Sequence, residues 1–261
     1  MHIDYTGKVA AVTGTSGIGL DAGLHLARLG ARVFLAGIDT DLNRAAAEMA
    51  SGAGLAVTVH HVDVADEASV RAWSEAISAE TGHLHALVNA AAIQFYGSIE
   101  DTTPDMWDHA MAVNLRSCYL TSHILYPLMK AANGASIVHI SSVQGHASQN
   151  RVAAYAATKG AIHALTRAMA VDCAGEAIRV NSVSPGSVHT PLLEFSAREL
   201  ATDGKSVEEM LGEFAASHPM GRIGRPADIS AMIAYLCSDA AGFVTGADML
   251  VDGGLTSQLG V

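Results

Sequence analysis

Short continuous runs of β-branched and aliphatic residues alternate along the chain with longer, Ala-rich stretches whose apolar positions recur at helical spacing. Uninterrupted apolar runs suit strands buried on both faces, and the amphipathic stretches between them suit crossovers that cover those faces. The runs predict seven strands, at 9–12, 32–36, 56–62, 86–88, 136–140, 179–183 and 248–251. The intervening stretches predict helices at 19–29, 41–50, 67–80, 104–129, 153–173 and 226–238. This rhythm predicts an α/β fold over residues 1–261: a single doubly wound (Rossmann) domain with a seven-stranded parallel sheet flanked by helices. One stretch, 190–220, carries no strand, and Glu194, Arg198, Glu199, Glu208, Glu209 and Glu213 stud a helical pattern there. An insertion after a late strand lies over the ligand crevice of such a fold, so it reads as a substrate lid. A solvated helical hairpin is the plainer alternative.

Composition narrows the function. Of 261 residues, 15 are Lys or Arg and 26 Asp or Glu, a net charge of −11, which speaks against a nucleic-acid partner. Half of the chain is hydrophobic and only 16% is charged, which excludes a disordered segment. With 25 glycines and few aromatics, the core is expected to be built from small and β-branched side chains. Cys118, Cys173 and Cys237 are odd in number and far apart, which fits a reducing compartment and predicts a cytoplasmic location. Neither a secretory leader nor an apolar run of roughly 18 residues is readable, so no membrane span is expected. His2, His60, His61, His83, His85, His109 and His123 share no metal-ligand spacing, and no metal is predicted.

The segment Thr13-Gly14-Thr15-Ser16-Gly17-Ile18-Gly19 follows the first strand and opens the first helix. Glycines let the backbone turn sharply and approach a pyrophosphate, which the free N–H groups and dipole of a helix start then receive. After the second strand the chain reads Ala36-Gly37-Ile38-Asp39, with no Arg or Lys to meet a 2′-phosphate, and Asp39 is the nearby acid. NAD is therefore preferred, with NADP not excluded. Asp63-Val64 follows the third strand, placed either to hold adenine or, for Asp63, to cap the next helix. Tyr155 and Lys159 are four apart on one helix face, where the ammonium could stabilise a phenolate whose ordinary pKa is near 10. Ser142 stands just past the fifth strand, at the crevice, and Asn114 lies inside the long helix 104–129, where Asn is a modest helix former.

Taken in order, these stretches resemble the short-chain dehydrogenase/reductase family over nearly the whole chain. The matches are the glycine turn, Asp63-Val64, Asn89-Ala90-Ala91-Ala92, Asn114, Ser141-Ser142, Tyr155-Ala156-Ala157-Thr158-Lys159, Arg179-Val180-Asn181, Pro185-Gly186, and a tail running from Gly221 through Val251-Asp252-Gly253-Gly254. The resemblance implies that Tyr155 is the general acid/base, that Lys159 lowers its pKa and binds the nicotinamide ribose, that Ser142 orients the substrate, and that Asn114 links Lys159 to solvent through water. It implies a cofactor site formed by Gly14, Ser16, Gly17, Ile18, Gly19, Asp39, Asp63, Val64, Asn89, Ala90 and Ala91, with Tyr155, Lys159, Pro185, Gly186, Val188 and Thr190 at the nicotinamide end. The substrate would meet Ile93, Gln94, Ser142, Gln144, Gln149 and Tyr155, together with Ser187, His189 and Leu193; His146 and Leu192 would join that wall. Amides and imidazoles there suit a sugar or polyol, with a ketoacyl thioester or steroid-like ketone as the other reading. A small-molecule substrate and a homotetramer are what the family implies.

The chain departs from the family pattern at four places. The glycine turn is one residue short, Asp21 is placed in the first turn of the helix, the motif after the fourth strand reads Asn-Ala-Ala-Ala, and Gly37 stands where an NAD-type member carries Asp. Two hypotheses follow: an NAD(H)-dependent oxidoreductase interconverting a secondary alcohol and a ketone or lactone, or a scaffold with weakened dinucleotide binding and non-redox chemistry.

Overall fold

The computed structural model describes residues 3–201 and 204–259; positions 1, 2, 202, 203, 260 and 261 of the expected domain and lid lie outside the described residues. Seven parallel strands form one sheet in the order β3-β2-β1-β4-β5-β6-β7. They are β1 (Val9–Thr13), β2 (Arg32–Gly37), β3 (Val57–His61), β4 (Ala86–Asn89), β5 (Ala135–Ile140), β6 (Ile178–Pro185) and β7 (Asp248–Val251). Strands β1, β4 and β5 are buried at every position, as expected of strands covered on both faces. Val12 pairs with Leu35 on one side and Val88 on the other, so β1 sits at the centre of the first half. Chain order reverses between β1 and β4, and a ligand crevice is expected beyond the strands' carboxyl ends at that switch point.

Helices α1 (Gly17–Arg28), α2 (Thr40–Gly52), α3 (Glu67–Thr81), α4 (Pro104–Ala110), α5 (Ser117–Ala131), α6 (Ala153–Cys173), α7 (Pro191–Leu200), α8 (Val207–Ala216) and α9 (Pro226–Cys237) complete the layers. One core cluster joins Val12, Leu26, Val33 and Leu35 to Ile229 and Ile233 of α9. The other joins Phe34, Leu87 and Ile137 to Trp73 and Ile77 of α3 and Leu125 of α5. Local chemistry fixes several ends: Asp66 caps α3 through Ala68 N–H and Ser69 N–H, Thr190 and Pro191 start α7, and Ser206 with Glu209 makes a capping box on α8.

Two predicted elements differ. The helix expected over 104–129 is interrupted by a π-helical turn, Met111–Arg116, between α4 and α5. Such a turn inserts an extra residue without disturbing the apolar periodicity on either side, so the pattern does not betray it. Helix α1 begins at Gly17 rather than residue 19, and Asp21 consequently falls beyond its first turn. There its carboxylate accepts a 2.6 Å bond from the Ser230 hydroxyl of α9, so it braces a helix pair and does not compete for a phosphate. The lid stretch folds as α7 and α8.

Candidate active site

The β1–α1 turn is built from backbone. Gly14 has φ +99° and donates its N–H to Ala36 O at 2.7 Å, and Gly17 has φ +52°, both in the region that only glycine enters freely. Ser16 occupies the N-cap without a side-chain bond, so the helix's leading N–H groups keep no intrahelical partner beside a cavity lined by Gly14, Ser16, Gly17 and Ile18. Gly19 is not part of that lining: a Cβ there would stand 2.5 Å from Gly14 O, so its role is the close approach of helix and turn.

At the end of β2, Asp39 lines the cavity, and its Oδ1 accepts from Asp41 N–H and Leu42 N–H as the cap of α2. Gly37 leaves no room for a carboxylate, because a Cβ would stand 2.3 Å from Thr15 Oγ1 and 2.5 Å from Asn43 Oδ1. Asp63 and Val64 line the cavity after β3; Asp63 Oδ1 accepts Ala65 N–H at 2.9 Å, and the helix cap considered for it belongs to Asp66. Ala90 and Ala91 line the crevice beyond β4, and their N–H groups donate to Thr13 Oγ1 at 3.0 and 3.1 Å. Asn89 does not line the cavity. It is buried, takes the Thr121 hydroxyl at 2.7 Å and pairs with His139 Nδ1 at 3.1 Å, so its polar groups hold α5 and β5.

In the reacting half, the Ser142 hydroxyl accepts Gln144 N–H at 3.1 Å and lies close enough to the Tyr155 phenol to lower its pKa. Burial pushes Tyr155 up to about 12, against the lowering influence of Ser142 and with the nearby Tyr96 raising it further. Lys159 is buried, donates to Ile140 O at 2.8 Å and stands 5.3 Å from the Tyr155 ring centroid. Desolvation pushes its ammonium down to about 8. The Lys159 ammonium, bonded to Ile140 O, stands beside the Tyr155 ring, and burial of the phenol is the largest influence on its pKa. Asn114, in the π turn, does not bond Lys159 with its side chain. It clamps the Ile93 backbone, accepting N–H at 2.8 Å and donating to O at 2.9 Å, and reaches Thr158 Oγ1 at 3.3 Å.

One cavity of about 1100 Å³ joins the two halves, and Pro185, Gly186, Val188 and Thr190 border it. Ile93, Gln94, Gln144, Gln149, Ser187 and Leu193 also face it, whereas His189 does not. The His189 side chain is more than half exposed and lies 3.5 Å from Glu194, an ion-pair geometry outside the cavity. Gln94 Nε2 and Gln144 Oε1 are buried without hydrogen-bond partners. Three contributors escaped the sequence reading. Tyr96 faces the cavity, and its hydroxyl accepts from Gln149 Nε2 at 3.4 Å. His218 receives Ser187 N–H on Nε2 at 3.1 Å while Nδ1 meets Phe214 O at 2.6 Å, which props the chain after Gly186. Thr15 fills the space beside Gly37. Tyr96 and His218 lie in no motif, and Thr15, though inside the glycine turn, is marked there by no spacing of its own.

A helix N-terminus at the switch point, opening into the same cavity as a Ser–Tyr–Lys group, defines a dinucleotide-dependent oxidoreductase site. Comparison with known proteins agrees. Residues 12–256 match the family model described as enoyl-(acyl carrier protein) reductase. The NADP-dependent (R)-specific alcohol dehydrogenase of Lentilactobacillus kefiri is 37% identical, covering 97% of this chain and 98% of that protein. The cyclopentanol dehydrogenase of Comamonas testosteroni is 38% identical, with 96% and 98% covered. The ligand-free aldohexose dehydrogenase of Thermoplasma acidophilum superposes with a TM-score of 0.88 at 33% identity, covering 97% of this chain and 96% of its own. The chain belongs to the short-chain dehydrogenase/reductase family and is an oxidoreductase acting on CH–OH groups. That family uses NAD(P) in general. Among the described residues no helix is long and apolar enough to cross a membrane.

Proposed function

We propose that the protein interconverts a secondary alcohol and a ketone or lactone with NAD(H), on a sugar or polyol. The observation that carries the substrate class is the pair of buried, unpartnered polar atoms on the cavity wall, Gln94 Nε2 and Gln144 Oε1, one donor and one acceptor. Leaving such groups unpaired costs about 1–3 kcal/mol each, which a hydroxyl-rich ligand recovers. The likeness to an aldohexose dehydrogenase supports the same class. The apolar side chains Leu192, Met210 and Phe214 on the α7–α8 wall favour a second reading, a simple alicyclic or acyl ketone, in keeping with the cyclopentanol relative.

The residues present fit a dinucleotide: the uncapped start of α1, the small wall of Ala90 and Ala91, and the glycine turn leave room for backbone approach. Gly14, Ser16, Gly17 and Ile18 would hold the pyrophosphate, Asp39, Asp63 and Val64 the adenosine, and Lys159, Val188 and Thr190 the nicotinamide end. When bound, the nicotinamide supplies the hydride acceptor or donor. Ser142 orients the substrate oxygen, Tyr155 Oη takes its proton during oxidation and returns it during reduction, and the Lys159 ammonium steadies the phenolate. Asn114, through the main chain of its π turn, serves the water path to Lys159. Residues 190–220 close over the substrate as a lid, and the single domain carries the whole site.

NAD is preferred over NADP because no Arg or Lys borders the cavity near Gly37, while the acid Asp39 does. Four copies assemble, supported by exposed apolar Tyr119 on α5 and Val171 on α6, and the free buried cysteines suit a reducing cytoplasm. Calorimetric titration with NAD⁺, NADH, NADP⁺ and NADPH tests the cofactor, and a polyol, aldose and cyclopentanol panel follows. Micromolar NADH with weaker NADPH, and faster turnover of polyols than of cyclopentanol, is the expected result. No binding of any of the four dinucleotides overturns the reading.

A further inference from the structure

Beside the reacting half lies a cluster to which the oxidoreductase chemistry assigns no step, although one of its members, His146, borders the cavity. His146 ends the short 3₁₀ turn Val143–Gly145 that follows Ser142, His163 lies on α6 one turn after Lys159, and Asp248 opens β7. Their ligand atoms all lie within 4.8 Å of one another. His163 Nε2 is 3.5 Å from Asp248 Oδ1, and His146 Nε2 is 2.7 Å from Asp248 Oδ2. Around a zinc-sized ion at about 2.0–2.2 Å from each ligand, tetrahedral neighbours stand about 3.3–3.5 Å apart, so small rotations of one imidazole suffice.

The surroundings are those of a built site. Ser182 and Ser184 donate their hydroxyls to Asp248 Oδ1 and fix that carboxylate from behind, as outer partners of metal ligands do. Gly145 makes room for the ring, since a Cβ there would stand 2.5 Å from His163 Cε1. His163 Nε2 lies 2.8 Å from the Ser141 hydroxyl and 3.0 Å from that of Ser184, and since these hydroxyls donate to Lys159 O and Asp248 Oδ1, the ring nitrogen carries the proton, which an incoming ion replaces and releases to solvent. His163 is nearly buried, Asp248 is partly covered and His146 is open, which leaves an entry path and free coordination positions.

We propose that His146, His163 and Asp248 bind one divalent transition-metal ion, zinc or a cation of like preference, in a two-histidine, one-carboxylate site. Imidazole ligands select such ions over magnesium or calcium, which take oxygen. The ion ties β7 and α6 to the chain segment bearing Ser142 and Gln144. The site does not depend on which cofactor or substrate the enzyme uses.

The test is titration of untagged, chelator-stripped full-length protein with Zn²⁺ by calorimetry and with Co²⁺ by visible absorption. One ion per chain, cobalt d–d bands of a low-coordinate site, no competition from Mg²⁺ and a raised thermal midpoint are expected. Removing an outer partner of a metal ligand costs about 10–100-fold in affinity, so loss of a ligand in Asp248→Asn or His146→Gln is expected to weaken binding by at least about 100-fold. His146→Gln alters an open position, and thermal melts without metal confirm that each variant folds. Absence of stoichiometric binding overturns the proposal. So does binding unchanged in both variants, which would move the ion to another histidine pair such as His83 and His85.

Discussion

Around the β1–α1 turn the cavity wall is main chain and small side chains, Gly14, Gly17, Ala90 and Ala91, with the unpartnered N–H groups of the α1 start beside it and methyl groups setting the clearance. Across the sheet the wall is made of functional side chains: Gln94 and Tyr96 from the loop after β4, Ser142 and Gln144 from the segment after β5, and Tyr155 from α6. The family departures all fall on the first side and the preserved chemistry on the second. A backbone-built site tolerates such changes because its N–H groups are supplied by whichever residues occupy the turn and the helix start. A side-chain constellation has no comparable slack, since proton transfer needs particular atoms within hydrogen-bond reach.

The sharpest separation of the halves comes from Tyr155→Phe. It removes the proton carrier and leaves the turn untouched, so kcat should fall by about 10³–10⁴, with dinucleotide Kd changed by no more than about threefold. Stopped-flow turnover and calorimetry on one sample read both. A comparable loss of Kd would show that the halves are not separable. With Tyr155 pushed up to about 12, oxidation in the wild type should also keep accelerating as pH rises through 8 to 10, since the base form grows with pH.

His139 of β5 and Asn89 of β4 meet at the seam of the halves. His139 is fully buried, and desolvation first, then the Lys159 charge, push it from 6.5 to about 4. The unfolded chain therefore binds one more proton between those pH values, so stability from this group is complete above pH 6.5 and drains away as pH falls toward 4. The loss amounts to about 3 kcal/mol at 1.36 kcal/mol per pH unit. Urea unfolding at pH 7 and 4.5 measures it, and His139→Gln should flatten the slope whatever it does to the starting value.

The backbone half was the more legible one. Six of seven strands begin within a residue of their predicted positions, and the seventh, β7, coincides, because buried parallel strands announce themselves as apolar runs. Helix α6 was also bounded as found. The π turn around Asn114 was hidden, since one inserted residue leaves the pattern intact. Asn89 resembled a cofactor ligand but has its polar atoms committed to Thr121 and His139, which only the packing reveals. Tyr96, His218 and the partners of Asp248 come together from positions distant in sequence, and no local pattern encodes such convergence. His189 lies outside the expected wall, beside Glu194 five residues on, a placement no local pattern encodes.

The backbone half can next be sharpened for cofactor choice. Ile38 is exposed at the rim beside Asp39, and no cation stands there to receive a 2′-phosphate. Ile38→Arg supplies one, and a charge-assisted pair of this kind is worth about 1.4 kcal/mol or more, so NADPH affinity should rise about tenfold while NADH stays nearly constant. Equal gains for both dinucleotides would mean that the guanidinium meets the pyrophosphate instead. That result would relocate the adenosine end of the site.

The smallest effect is the most informative about substrate. Gln94 and Gln144 line the cavity and carry the unpartnered atoms Nε2 and Oε1, so on the proposed polyol reading Gln94→Leu and Gln144→Leu remove a cost from the free protein and a bond from the complex. KM for a polyol should rise about three- to tenfold in each variant, consistent with one neutral hydrogen bond of about 0.5–1.5 kcal/mol. For cyclopentanol, which has one hydroxyl and that committed to Ser142 and Tyr155, KM should hold or fall, because the apolar wall gains area. Kinetics of both substrates with both variants make the comparison internal, so a fold defect, which would damage the two alike, is distinguishable from lost recognition. Parallel changes in the two substrates would take the amides out of substrate binding and turn the reading toward the apolar ketone.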